Sequence, residues 1–261
     1  MRMADCGWVW EGQGLDPGVH PSIFGIGDGA EFFGLRKVHF LFHDTTRLAL
    51  QRLAHLEEVV PDISKWRFRD TKNGGSESYC DGRPETVRAE AEKVSRFSRE
   101  FPNITGGYYD DMKGLITKYG HGADECARIH DALRSENKNL KLHTVVYSHE
   151  LDPPGFWLPL LPYMDVVTFW VWGYERLATL EDDLKRCREL FGGRPILMGC
   201  YLRDYPTASP MPMESVRHQW RVLADALAGG LVDGYDILAT VLIEGQLEQA
   251  EWIRDFIKDH S

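Results

Sequence analysis

Two adjacent carboxylates are the feature of this sequence that most directly indicates chemistry. Asp110 and Asp111 follow the short run ITGGYY at residues 104–109, where their like charges repel. Two carboxylates in different environments can share proton transfer, because the one with the raised pKa donates a proton while the other stays ionised. Alternatively, one aspartate caps the N-terminus of a following helix. Capping explains one carboxylate but not the second.

Eight short runs rich in β-branched and aromatic residues recur along the chain, and segments with helical periodicity lie between most of them. The predicted strands span residues 7–11, 37–43, 64–69, 104–109, 141–147, 165–172, 195–201 and 234–240. The predicted helices span residues 45–60, 84–101, 123–136, 177–191, 213–228 and 246–258. This alternation predicts an α/β fold, a single (β/α)8 TIM-type barrel domain over residues 1–261. The glycine-rich segment 12–36 has the weakest pattern, and residues 25–29 are interpreted as a loop lining the barrel mouth.

The carboxyl ends of the strands form the active site of such a barrel, so the polar and aromatic residues there are the candidate site. In chain order they are Trp10, Glu11, His43, Asp70, Tyr109, Asp110, Asp111, Tyr147, His149, Glu150, Trp170, Trp172, Tyr174, Tyr201, Arg203 and Asp204. Aromatic faces flanked by carboxylates suit a sugar, because pyranose C–H faces pack on rings while hydroxyls form hydrogen bonds. Each ring alone is also an ordinary strand or core residue. Together they predict a carbohydrate substrate.

The acidic pair after the fourth predicted strand resembles the arrangement in substrate-assisted N-acetylhexosaminidases, including O-GlcNAcase-like enzymes with adjacent aspartates. The resemblance covers this motif and the predicted strand plan. It implies a glycoside hydrolase that uses general acid catalysis at the barrel mouth. It also implies that Asp110 orients the substrate's acetamido group, that Asp111 protonates the leaving oxygen, and that Tyr174 helps to bind the acetamido oxygen.

A conventional glycosidase with two separated carboxylates stays open, with the second acid at Glu150, Asp204 or Glu11. In either version we expect some candidate residues to bind sugar hydroxyls or steer the acid, namely Tyr147, His149 and Arg203. We expect others to form the sugar platform, namely Trp10, Trp170, Trp172 and Tyr201.

Two other classes compete with a glycosidase. A metal-dependent hydrolase or isomerase barrel could use the donors at the strand ends, namely His43, Asp44, Asp110, Asp111, His149, Glu150 and Asp204. The first strand, however, carries Trp8-Val-Trp10 in place of His-x-His, and no H-E-x-x-H motif is present, so we predict no metal and no cofactor. A non-catalytic carbohydrate-binding barrel would keep the aromatic residues without needing an adjacent acidic pair.

Composition limits the partners further. The net charge of −10 and the lack of clustered Lys and Arg predict no nucleic-acid or anionic membrane partner, and favour a neutral or cationic substrate. The sequence has no apolar run of about 18 residues, so no membrane span is predicted. Five cysteines without a C-x-x-C pair indicate reduced thiols. No apolar leader is visible, which predicts a cytoplasmic protein, while export with a removed leader and the oligomeric state stay open.

Overall fold

The computed structural model describes residues 2–12 and 19–261, in which strands and helices alternate. The strands are β1 (Gly7–Trp10), β2 (Lys37–Phe40), β3 (Glu58–Pro61), β4 (Lys65–Asp70), β5 (Ser76–Asp81), β6 (Gly106–Tyr109), β7 (Lys141–Tyr147), β8 (Val166–Trp170), β9 (Ile196–Tyr201), β10 (Arg203–Asp204), β11 (Ser209–Pro210) and β12 (Gly234–Leu238). The α-helices are α1 (Met3–Cys6), α2 (Ile26–Phe33), α3 (Arg47–Arg52), α4 (Pro84–Phe97), α5 (Met112–Tyr119), α6 (Ala123–Leu133), α7 (Leu180–Phe191), α8 (Met213–Ala228) and α9 (Leu247–Asp259). Short 3-10 helices span Ser148–Glu150, Pro154–Phe156, Leu161–Tyr163, Tyr174–Thr179 and Thr240–Leu242.

Eight of these strands form one parallel sheet in the order β3-β2-β1-β12-β9-β8-β7-β6. Backbone hydrogen bonds join its two ends: Val59 N donates to Asn103 O at 2.8 Å, and Ile63 N donates to Tyr108 O at 2.9 Å. Every residue of β8 and β9 is buried, which is typical of parallel strands covered on both faces. The predicted (β/α)8 barrel is therefore confirmed.

A chain of buried side chains fills part of the barrel interior. His39 Nδ1 lies 2.7 Å from Asp236 Oδ2, and His39 Nε2 lies 3.1 Å from His143 Nδ1. The Tyr108 ring packs against His39, with 4.3 Å between the ring centroids. Because Tyr108 precedes Asp110 by two residues, this packing supports the strand that carries the acidic pair.

The third predicted strand is wrong. Residues 64–69 fall almost entirely in β4, which pairs antiparallel with β5 as a hairpin outside the barrel sheet. The third barrel strand is β3, which lies partly inside the predicted helix 45–60, and only α3 of that segment is α-helical. β-propensity describes how well a residue fits a pleated, half-buried surface and does not identify the partner strand. Asp70 therefore lies exposed beside the turn of the hairpin, not at the barrel mouth.

Three helices were not predicted, and the first of them is the short α1. Residues 25–29, interpreted as a loop, cap and begin α2, and α5 begins directly after the acidic pair. The other predicted helices correspond closely to α4, α6, α7, α8 and α9. Residues 13–18 of the glycine-rich segment lie outside the described residues. In the part of the chain that the structure describes, no helix is both long and apolar enough to cross a membrane.

Candidate functional site

Asp110 lies just beyond the carboxyl end of β6, and its side chain is buried. Its carboxylate accepts hydrogen bonds from the Trp66 indole Nε1 at 2.8 Å and from the Asp111 backbone N at 3.0 Å. Its own backbone N donates to Ser64 Oγ at 2.8 Å. Burial raises the pKa of Asp110 well above its usual range, and the neighbouring charge of Asp111 adds to this effect. Asp110 is thus held in one orientation, in surroundings that favour its protonated form.

Asp111 precedes α5 with a left-handed backbone, at φ 46° and ψ 36°. This conformation costs a non-glycine residue about 1–3 kcal/mol. The Asp111 side chain makes no capping hydrogen bond to α5, and its Oδ1 instead accepts one from the Tyr147 hydroxyl at 2.9 Å. Burial raises the pKa of Asp111, and the hydrogen bond from Tyr147 opposes that rise. Helix capping therefore does not account for this carboxylate.

The ionisation of each of the two adjacent carboxylates depends on the other. Burial raises the pKa of both groups, and the charge of Asp111 further opposes ionisation of Asp110. One of the two therefore keeps its proton to a higher pH than an isolated aspartate does. A protonated carboxyl beside an ionised one can supply a general acid and an anionic partner in the same site.

A third carboxylate, Asp62, lies behind the pair and was missing from the predicted set. Its Oδ1 accepts a hydrogen bond from Ser64 Oγ at 2.9 Å, and the same Ser64 Oγ accepts one from Asp110 N. Burial raises the pKa of Asp62 to about 7. Asp62 directly follows β3, so a correct third strand would have identified it as a strand-end acid.

The acidic pair lines a cavity of about 150 Å³ at the barrel mouth, which we call the inner cavity. Five predicted aromatic residues line it: Trp10, Tyr147, Trp170, Trp172 and Tyr201. Four residues outside the predicted set also line it: Phe42, Trp66, Tyr205 and Leu238. The rings pack on one another, with 5.0 Å between the centroids of Trp172 and Tyr205 and 4.8 Å between those of Trp170 and Tyr201. The inner cavity thus combines aromatic rings with two carboxylates.

The sequence held a signal for some of these four residues. Tyr205 belongs to the same strand-end segment as the predicted Tyr201, and Trp66 lies in the run mistaken for a barrel strand. Phe42 and Leu238 carry no chemical signal, because apolar residues at strand ends are equally typical of the core.

A larger, more open cavity of about 750 Å³, which we call the outer groove, adjoins the inner cavity. It is lined by Ser78, Tyr79 and Cys80 of β5, by Gly114, Leu115 and Lys118 of α5, and by the predicted site residues His149 and Glu150. The Glu150 carboxylate accepts a hydrogen bond from Tyr147 N at 3.0 Å, and burial raises its pKa. Four residues line both cavities: Trp66, Asp111, Tyr147 and Trp172.

Glu11 and His43 belong to a different part of the surface. His43 Nε2 lies 3.3 Å from Glu11 Oε1, and both residues line a separate cavity beside α2 and α3. Burial raises the pKa of Glu11, and the hydrogen bond with His43 opposes that rise. The structure therefore does not bring these two residues to the acidic pair.

The remaining predicted residues have structural contacts. The Asp204 carboxylate accepts hydrogen bonds from the backbone N of Tyr174 at 3.0 Å and of Thr207 at 3.1 Å, and so orders its loop. The Arg203 guanidinium lies 5.5 Å from the centre of the Tyr205 ring. The Tyr109 hydroxyl lies 3.2 Å from His121 Nε2, between α5 and α6. The residues that line the inner cavity do not include Asp204, Tyr174 or Tyr109.

The donors of the metal-binding alternative are divided among these places. His43 is beside Glu11, His149 and Glu150 line the outer groove, and Asp204 binds its own loop. Across residues 2–12 and 19–261, no three His, Cys, Asp or Glu side chains form a group that could hold a metal ion.

Comparison with solved structures identifies several similar barrels. A β-glucuronidase from Bacteroides uniformis has a TM-score of 0.60 at 12% identity, over 93% of this chain and 31% of that chain. A GH128 (subgroup I) endo-β-1,3-glucanase from Amycolatopsis mediterranei, in complex with laminaritriose, has a TM-score of 0.56 at 14% identity, over 96% of this chain and 99% of that chain. A chitinase from Chromobacterium violaceum has a TM-score of 0.55 at 12% identity, over 94% of this chain and 98% of that chain.

These similarities establish the shared fold. This chain spans less than a third of the length of the glucuronidase and nearly the whole length of the glucanase and the chitinase. Neither a protein-family model nor a curated protein sequence matches this chain.

Proposed function

We propose that this chain is a glycoside hydrolase that cleaves an O-glycosidic bond at the inner cavity, with Asp111 as the general acid and Asp110 as its partner. The observation that carries the proposal is an adjacent acidic pair, with raised pKa values, lining a cavity of aromatic rings. Such rings suit the C–H faces of a sugar, and the carboxylates suit its hydroxyls. The similar glucuronidase, glucanase and chitinase barrels support the same class.

The positions of the two carboxylates support Asp111 as the acid. A general acid must reach the glycosidic oxygen, which lies between the sugar that is retained and the group that leaves. Asp111 lines both the inner cavity and the outer groove, whereas Asp110 lines the inner cavity. A sugar in the inner cavity with its leaving group towards the outer groove would therefore place the glycosidic oxygen beside Asp111.

In the substrate-assisted version of this mechanism, the acetamido N–H of the substrate donates a hydrogen bond to Asp110. This bond favours the ionised form of Asp110, so that the proton which the pair holds in the free enzyme resides on Asp111 once the substrate is bound. The acetamido oxygen bonds to the anomeric carbon while Asp111 gives its proton to the leaving oxygen, and the glycosidic C–O bond breaks. Water then attacks the anomeric carbon, the acetamido oxygen leaves, and Asp111 accepts the proton of the water. The Tyr147 hydroxyl donates to Asp111 Oδ1 and stabilises the Asp111 carboxylate, whereas the predicted Tyr174 is not among the residues that line the inner cavity.

A conventional two-carboxylate mechanism is the second candidate. Glu150 is its best second acid, because it lines the outer groove and its pKa is affected by the charge of Asp111. Asp204 and Glu11 have other partners. The glucanase solved with laminaritriose supports a neutral glucan as substrate for this version.

The test is turnover of a panel of aryl glycosides that includes N-acetylhexosaminides, glucosides and glucuronides. The wild type, Asp110→Asn and Asp111→Asn are each assayed with and without a chelator. Asp70→Asn serves as the matched control, because Asp70 is an exposed carboxylate beside the hairpin turn. The proposal expects chelator-insensitive cleavage that falls roughly 100-fold or more in both pair variants and is unchanged in the control.

Other outcomes separate the alternatives. Chelator-sensitive cleavage would favour the metal-dependent barrel, and sugar binding without cleavage would favour a binding protein. Inhibition by a thiazoline derived from an N-acetylhexosamine, which mimics the acetamido-bridged intermediate, would favour the substrate-assisted version. Loss of turnover in Glu150→Gln equal to that in Asp111→Asn would favour the conventional version.

A further inference from the structure

The inner cavity and the outer groove form one continuous binding surface. Four side chains line both of them, and Asp111 is one of the four. Trp172 is another, and 39% of its surface is exposed, although it stacks on Tyr205. An exposed tryptophan at the junction of two cavities is available to pack against a ligand that occupies both.

The composition of the outer groove resembles that of the inner cavity. Tyr79 contributes an aromatic ring, and the Arg69 guanidinium packs over this ring, 5.1 Å from its centroid. His149 stacks on Tyr147 with 5.4 Å between the ring centroids, and Lys118 and Glu150 add opposite charges. Aromatic rings with hydrogen-bonding groups of both kinds suit the two kinds of surface that a sugar presents.

The sizes of the two cavities indicate how a substrate would divide between them. The inner cavity measures about 150 Å³, and the outer groove about 750 Å³. The larger and more open site is unnecessary for an enzyme that releases only a small group. It fits a leaving group that is itself a chain of sugars.

We propose that the outer groove binds the sugar residues on the leaving-group side of the scissile bond, so that the substrate is an oligosaccharide or polysaccharide chain. This inference rests on the proposed function, because it takes Asp111 as the acid at the junction. The bond is cleaved where the chain passes from the inner cavity to the outer groove. The groove then sets the preference for chain length.

Gly114 offers a way to block the groove without removing any side chain. It lies in the first turn of α5, one turn from Asp111, and lines the outer groove. A Cβ at this position would meet no atom within 4 Å, so the side chain of Gly114→Leu enters open space. Replacing glycine within a helix also favours the folded state. The variant is therefore expected to unfold at or above the wild-type temperature.

The matched control is Gly193→Leu. Gly193 follows α7 and is exposed, and a Cβ added there would likewise meet no atom within 4 Å. The substrates are a glycosyl fluoride, whose leaving group is a single atom, and the oligosaccharide series of the same sugar. The measured quantity is the ratio of kcat/KM for the longest oligosaccharide to kcat/KM for the fluoride.

We expect kcat/KM of the wild type to rise with the chain length of the substrate. In Gly114→Leu we expect the ratio to fall about tenfold or more, because the loss of one well-packed ring contact corresponds to about tenfold in affinity. The ratio should stay at its wild-type value in Gly193→Leu. An unchanged ratio in Gly114→Leu, or equal kcat/KM at every chain length in the wild type, would overturn the inference while leaving the glycosidase proposal intact. Failure of the wild type to hydrolyse any glycoside would overturn both.

Discussion

Replacing Tyr147 by phenylalanine tests the assignment of Asp111 most directly. The substitution keeps the ring in the inner cavity and removes only the hydroxyl that donates to Asp111 Oδ1 at 2.9 Å. This hydrogen bond stabilises the ionised carboxylate, and it lowers the pKa of Asp111. Its loss therefore raises that pKa, and Asp111 keeps its proton to a higher pH.

The size of the effect follows from the strength of the bond. A hydrogen bond to a charged group contributes roughly 1.5–3 kcal/mol, and one pKa unit corresponds to about 1.4 kcal/mol. Because a general acid must be protonated to act, the alkaline limb of the kcat/KM profile should move upward by about 1–2 pH units. The acidic limb, which reports a group that must be ionised, should move less, within the coupling of the pair.

The assay is the pH dependence of kcat/KM for the best aryl glycoside, and Tyr235→Phe is the matched control. The Tyr235 hydroxyl is also buried and donates to a backbone carbonyl, that of Met3 at 3.1 Å, on the other side of the barrel. Tyr235→Phe should leave both limbs in place. If Tyr147→Phe also leaves the alkaline limb in place, Asp111 is not the group that titrates there. If the acidic limb alone moves upward, Asp111 acts as the base.

Three further predictions concern the surroundings of the pair. Asp110→Asn and Asp111→Asn should each lower kcat roughly 10²–10⁴-fold without lowering the thermal midpoint, because each removes a buried repulsion. Burial raises the pKa of Asp62 to about 7, so the folded state keeps a proton that the unfolded chain releases near pH 4. The free energy of unfolding should therefore decrease as the pH rises from about 4 to about 7. Asp62→Asn should remove up to about 4 kcal/mol of this decrease, as measured by urea unfolding at pH 4.5 and 7.5. An added Cβ in Gly199→Ala would lie 2.0 Å from Trp170 Cε3, so the variant should lose about 1–3 kcal/mol in urea unfolding and lose turnover.

The barrel could be predicted because its signals are local and repeated. Seven of the eight predicted strands lie in the barrel sheet, since continuous apolar runs are the pattern of strands buried on both faces. The exception is instructive. β3 has only four residues, Glu58–Pro61, and comes shortly after the helix α3, while the stronger β signal of residues 64–69 belongs to the hairpin. Pairing is decided by tertiary contacts that local propensity does not describe.

The same limit applies to the site. The acidic pair was visible because two adjacent carboxylates are chemically unusual, and five of the predicted aromatic residues line the inner cavity. Asp62 was hidden by the misplaced strand. Asp204 and Glu11 were predicted as alternatives to Glu150 for the second acid of a conventional glycosidase. The Asp204 carboxylate instead accepts hydrogen bonds from backbone N–H groups of its own loop, and the Glu11 carboxylate contacts the His43 imidazole. A carboxylate's partner depends on loop conformation, which the sequence pattern does not specify.

The hairpin of β4 and β5 lines both cavities without belonging to the barrel sheet. β4 and β5 pair with each other and not with the barrel sheet, while Trp66 of β4 reaches the inner cavity and β5 lines the outer groove. At the end of β5, the Arg83 guanidinium donates two hydrogen bonds of 2.8 Å to the Asp81 carboxylate, directly before α4 begins. The side chains at residues 66 and 78–80 can therefore be exchanged while the hydrogen bonds between the eight barrel strands are kept. Changes confined to this hairpin can thus reshape the walls of both cavities while the barrel that carries the acidic pair stays the same.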